Sequence, residues 1–166
     1  MGDTANYYIG QGFLTASPLQ LAVMTAAVAN GGKVYQPSLV YAVSNPDTGV
    51  MERRRPVLAQ TIPWKDEALD VVRGGMLDVV HTETGTGRRV RLSNGIRMAG
   101  KTGTAEASIR GRRGRHAWMS VYAPFDNPRY AAVMIVEDTE KGGGSTVAPE
   151  LKQIMEGVFA LEGRSS

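Results

Sequence analysis

The chain contains no cysteine. Disulfides, thiolate catalysis and cysteine-built zinc sites are therefore excluded, and the redox compartment stays open. Histidine is almost as scarce: His81 and His116 are the only two. That is too few for a histidine-based metal cluster, so no metal site is expected. Aromatic residues make up 7% of the chain, and none is interleaved with the arginines at Arg110, Arg112, Arg113 and Arg115. With glycines between them instead, these arginines read as a solvated loop rather than a nucleic-acid surface, and no nucleic-acid partner is expected. No apolar run reaches transmembrane length, and residues 1–9 lack a signal-peptide core. Two expectations remain open: a soluble cytoplasmic chain, or part of a longer protein whose anchor lies upstream.

What is present is enough for one domain. The 166 residues are 42% hydrophobic and 21% charged, with a net charge of +3. Thr15-Ala16-Ser17-Pro18 opens the first clear helix, with Ser17 at the N-cap and Pro18 at the first helical position. Leu21, Met24, Thr25 and Val28 repeat at helical spacing, and Asn30-Gly31-Gly32 ends the pattern. Its many alanines predict close packing. Residues 34–43 read as an edge or irregular strand containing Pro37, Asn45-Pro46-Asp47-Thr48-Gly49 as a turn, and residues 50–58 as the returning arm with solvated Arg53, Arg54 and Arg55. A second helix is expected over 65–80, burying Leu69, Val72, Met76, Val79 and Val80. Gly74-Gly75 inside it predicts that something packs tightly there, since each glycine costs a helix about 1 kcal/mol.

The last third alternates strands. A short arm is expected near 89–93, a strand near 96–107, and two apolar runs at 116–123 and 130–137 joined by Pro124-Phe125-Asp126-Asn127-Pro128. Lys141-Gly142-Gly143-Gly144-Ser145 reads as a flexible loop. A closing helix is expected over 147–161, with Ile154, Met155, Val158 and Phe159 inward. An antiparallel meander flanked by helices is an α+β fold.

The chemistry concentrates in Met98-Ala99-Gly100-Lys101-Thr102-Gly103-Thr104-Ala105-Glu106. Three readings fit it. One is a glycine-rich hairpin turn with a solvated lysine. Another is a phosphate loop, because Gly95-Ile96-Arg97-Met98-Ala99-Gly100-Lys101-Thr102 satisfies G-x-x-x-x-G-K-[ST] and the run ending Val136-Glu137-Asp138 resembles a magnesium-holding strand. The third is the Lys-Thr-Gly motif of serine penicillin-recognising enzymes. A phosphate loop needs a buried strand before it and a helix after it. Val90-Arg91-Leu92-Ser93-Asn94 alternates half-exposed into an Asn-Gly hairpin signal, and no ten-residue amphipathic helix fits after Thr102. Lys101 is therefore expected on a strand entered from a hairpin.

The order of motifs resembles the class B penicillin-binding proteins, the transpeptidases of bacterial cell-wall elongation and division. The resemblance runs from Gly10-Gln11-Gly12 and Thr15-x-Ser17-Pro18-x-Gln20-Leu21-Ala22 through Tyr35-Gln36-Pro37 and Gly74-Gly75-Met76. It continues through the Thr84-Gly85-Thr86-Gly87 loop, Lys101-Thr102-Gly103-Thr104-Ala105-Glu106, His116-Ala117-Trp118 and Tyr122-Ala123-Pro124. It implies a β-lactamase/transpeptidase-like fold and acyl transfer through a covalent serine ester, without a cofactor. The implied donor is the D-Ala-D-Ala end of a peptidoglycan stem peptide, which β-lactams mimic. By the same resemblance Lys101 aids proton movement, Thr102 and Thr104 hold the substrate carboxylate, Gly103 leaves room for the peptide, and the Thr104 N–H is one oxyanion donor.

One departure matters. The family uses a Ser-x-x-Lys nucleophile and a Ser-x-Asn motif, both upstream of Gly-Gln-Gly. Three positions before the five lysines stand Asn30, Ile62, Met98, Asp138 and Pro149, none of them serine, and no Ser-x-Asn occurs. Residues 1–166 are thus expected to be the C-terminal portion of a transpeptidase domain, inactive without the upstream half that holds the nucleophile. The implied setting is the extracytoplasmic face of a bacterial inner membrane, anchored from upstream, among cell-wall synthesis proteins. A non-catalytic penicillin-binding-like scaffold or sensor remains an alternative.

Overall fold

A computed structural model describes residues 15–109 and 111–163; Gly10-Gln11-Gly12 and Arg110 lie outside them. Helix α1 (Pro18–Ala29) starts where its cap predicts. The Ser17 hydroxyl accepts from the Gln20 N–H at 3.2 Å, and the Gln20 carboxamide accepts from the Ser17 N–H at 2.8 Å. It ends at Asn30, whose side chain bridges to the backbone of Lys33, followed by Gly31 and Gly32 at φ of +81° and +97°. Thr25, Ala27 and Ala29 are buried, whereas Met24 is 51% exposed.

An arm follows, in which β1 (Lys33–Tyr35) pairs antiparallel with β4 (Leu58–Thr61), and β2 (Ala42–Ser44) pairs with β3 (Met51–Arg53). The tip turns at Asn45, whose side chain accepts from the Asp47 and Thr48 N–H groups. Helix α2 (Asp66–His81) buries Val80 and half-buries Leu69, Met76 and Val79. Val72 faces solvent, and a Cβ at Gly74 or Gly75 meets nothing within 4 Å, so no close packing explains those glycines among the described residues.

No strand forms near 89–93. A 3₁₀ turn (Arg88–Val90) stands there. The reason is a partner distant in sequence. The Gly87 N–H donates to the Val79 carbonyl at 2.9 Å, and the Arg91 guanidinium donates to the carbonyls of Val80 and His81 at 3.3 and 2.8 Å. The segment thus satisfies the C-terminal end of α2 instead of pairing as a strand.

The sheet is β5 (Ala99–Ile109), β6 (Arg112–Ala123) and β7 (Tyr130–Val136), antiparallel in that order. Trp118 pairs with Gly103 on one side and Ile135 on the other. The strand alternation sorts side chains onto two faces. On one, Ala117, Met119, Val121 and Ala123 pack with Val147, Ala148, Leu151 and Met155, the last three from α4 (Ala148–Glu162). On the other, Tyr122 and Ala99 meet Ala29 of α1 and Met76 and Leu77 of α2. There the Arg73 guanidinium lies over the Tyr122 and Phe125 rings at 5.9 and 5.6 Å and donates to the Phe125 carbonyl. Ile154 of α4 is exposed, not inward as expected.

The expected meander and closing helix are present, with two adjustments. Beyond Ala117 the β5–β6 ladder runs on without β7, as a two-stranded ribbon out to Ile109 and Arg112. Arg112, Arg113 and Arg115 stand on that ribbon rather than in a loop, and Arg112 is paired with Asp138. In place of a flexible loop, residues after Gly142 form a short helix, α3 (Gly143–Thr146).

Candidate active site

Lys101 is the third residue of β5, so the strand that carries it continues well past Thr102. Before it, Asn94 and Gly95 (φ +79°) make a turn, preceded by the 3₁₀ segment and not by a paired hairpin arm. The phosphate-loop reading of Gly95 to Thr102 fails here. No buried strand precedes the glycine, and strand replaces the helix whose N-terminus would face phosphates.

Four expected residues come together. Lys101, Thr102, Gly103 and Thr104 border one open groove of about 590 Å³. β5 pairs with β6 on one edge, and among the described residues no strand pairs with its other edge. The Thr102 and Thr86 hydroxyls are 2.8 Å apart, and the Lys101 ammonium donates to the Thr102 carbonyl. Lys101 and Thr104 are exposed, while Thr102 and Gly103 are half-buried.

The opposite wall is residues 142–145, part of the segment expected as a flexible loop. They are held by close backbone approach. A Cβ on Gly143 would lie 2.0 Å from the Trp118 carbonyl oxygen, and one on Gly144 would lie 2.0 Å from that of Thr86. Only glycine fits there. Thr86, Arg88 and Arg89 complete the groove on the side of the 3₁₀ turn. These were also missed, although the facing glycine-rich runs at 85–87 and 142–144 were a visible signal that two backbones meet. Among the described residues no Asp or Glu lines the groove, so its field is cationic and suits an anion. An extended ligand with a carboxylate finds a bare strand edge, hydroxyl donors and an ammonium in one place.

Comparisons with known proteins identify the family. The family model for the penicillin binding protein transpeptidase domain matches residues 2–156. The peptidoglycan D,D-transpeptidase MrdA of Haemophilus influenzae is 36% identical over 169 residues, covering 93% of this chain and 25% of that protein. Pseudomonas aeruginosa PBP2, solved in complex with WCK 5153, is 34% identical with a TM-score of 0.71, covering 95% of this chain and 33% of that one. Penicillin-binding protein A of M. tuberculosis, solved as a ceftriaxone acyl-enzyme complex, is 27% identical with a TM-score of 0.78, covering 91% of this chain and 34% of that one. The chain thus spans about a quarter of the length of the curated relatives it matches. With a helix-flanked antiparallel sheet, a Lys-Thr-Gly-Thr strand at its edge and a family match over nearly its whole length, the chain belongs to the penicillin-binding protein transpeptidase-domain family.

Proposed function

We propose that residues 1–166 are the C-terminal portion of the transpeptidase domain of a class B penicillin-binding protein. The longer protein cross-links peptidoglycan stem peptides by acyl transfer and is acylated by β-lactams. The observation that carries this reading is the unpaired edge of β5, with Lys101, Thr102, Gly103 and Thr104 on one cationic groove. A serine from the upstream half attacks the D-Ala-D-Ala carbonyl, releasing the terminal D-alanine and forming an ester; a second stem-peptide amine then takes the acyl group. Lys101 stabilises the charge that develops and assists proton movement. Thr102 and Thr104 hydroxyls donate to the terminal carboxylate. The Thr104 N–H is one donor to the oxyanion, and losing such a donor typically costs about 3 kcal/mol of barrier. Two relatives are named peptidoglycan D,D-transpeptidases, which supports a proposed setting on the extracytoplasmic face, with an anchor and partner proteins supplied by the rest of the protein.

Intact-mass spectrometry after incubation with benzylpenicillin tests this. Residues 1–166 alone form no adduct, and the longer protein forms one stoichiometrically. Lys101→Ala in the longer protein slows acylation about a hundredfold or more without unfolding it. An adduct on residues 1–166 alone, falling for instance on groove-lining Ser145, would place the nucleophile within this chain. A longer protein that folds and takes no adduct would support the scaffold reading instead.

A further inference from the structure

The groove beside β5 holds more positive charge than one substrate carboxylate uses. Lys101, Arg88 and Arg89 all line it, and among the described residues no acidic residue does. The ion pairs among the described residues are Arg97–Asp126, Arg112–Asp138, Arg129–Glu162 and Lys152–Glu156, so none of the three groove cations is neutralised. Lys101 and Arg88 donate to the carbonyl oxygens of Thr102 and Glu83, which carry no net charge. Arg89 has no hydrogen bond or ion pair among the described residues.

The backbone turn that bears the two exposed arginines is held in place. The turn that bears them is pinned from below by Val90, which is fully buried in the main core. It is pinned from the side by the Gly87 N–H bond to the Val79 carbonyl. Gly87 is itself buried, and a Cβ there would lie 2.8 Å from the Met119 side chain. Three like charges lining one groove repel one another until an anion enters. A single carboxylate at Thr102 and Thr104 offsets one of them.

We infer that Arg89, with Arg88 beside it, forms a second carboxylate subsite, so that the groove takes an acyl donor bearing two carboxylates. One sits at the threonines and the other at the arginine wall, where a guanidinium forms charge-assisted hydrogen bonds to it. This rests on the reading of the groove as the acyl-donor site.

The experiment measures second-order acylation of the longer, nucleophile-containing protein by two drugs of one scaffold. Benzylpenicillin carries one carboxylate, and carbenicillin carries a second on its side chain. Arg89→Ala lowers the carbenicillin-to-benzylpenicillin rate ratio about three- to fivefold, the range of a solvent-exposed ion pair. Arg89→Lys keeps most of the ratio. Added salt lowers the ratio in the unsubstituted protein and leaves it nearly flat in Arg89→Ala. An unchanged ratio, or an equal fall for both drugs, overturns the second subsite; the equal fall would assign Arg89 to the terminal carboxylate. Absence of any adduct on the unsubstituted longer protein overturns the transpeptidase reading beneath it instead.

Discussion

At the scale of single residues, Gly143 and Gly144 hold the wall of the groove only because they lack a side chain. Gly143→Ala or Gly144→Ala forces the wall away from Trp118 or Thr86, at a cost of about 1–3 kcal/mol, read as a lower denaturant midpoint. Sequence alone gave three glycines in a row, which composition equates with flexibility. What they press against lies many residues away and is invisible to a local pattern. Lys101, Thr102 and Thr104 were legible because their spacing is itself the signal. His81 provides a second test. Burial lowers its pKa from the usual 6.5, with the guanidiniums of Arg91 and Arg97 adding to the effect. Its Nε2 accepts from the Met98 N–H, which requires the ring to be unprotonated there. Above pH 6.5 the ring is neutral in both folded and unfolded chains. Below it the unfolded chain binds the proton more readily, so stability falls as pH drops toward the folded-state value. Denaturant midpoints between about pH 7.5 and about pH 5.5 should show this slope, and His81→Gln should flatten it. Glu156, lowered by its bond from the Ser93 N–H, acts in the separate window below 4.5.

At the scale of elements, local signals located α1 and the meander well. Ser17, Pro18 and Gln20 specify the start of α1 through bonds within three residues. Ser17→Ala should remove about 1 kcal/mol, measured by thermal or denaturant unfolding. The 89–93 segment was misread because its partner is the end of α2, not a neighbouring strand. Periodicity marks Val72 and Ile154 as inward, yet the neighbouring elements do not cover them. A repeat of apolar residues shows which faces are apolar, and only the arrangement of neighbours decides which face is covered.

At the scale of the whole molecule, the sheet is covered on one face by α4 and on the other by α1 and α2. Leu19, Met24, Val71 and Val72 remain 58%, 51%, 76% and 51% exposed on those two helices. Among the described residues no strand pairs with the outer edge of β7. Apolar helix surface and an open edge together favour self-association. Residues 1–166 alone should sediment above monomer mass or unfold with little cooperativity, whereas the longer protein proposed here should do neither. A stable, monodisperse monomer of residues 1–166 would contradict this. The α+β class was legible because it depends on the sequence of elements, whereas the exposed apolar surface depends on what those elements face. The ribbon beyond Ala117 carries one more consequence, in parity. Only the rungs from Ala99 to Thr104 set which side of β5 meets the groove. Homologous chains can therefore differ in ribbon length by whole rungs, one residue from each strand, such as Ser108 with Arg113. The hydroxyls of Thr102 and Thr104 would keep their aim. A single-residue deletion between Ala99 and Lys101 reverses every later side chain on the strand and should abolish acylation while sparing the hairpin.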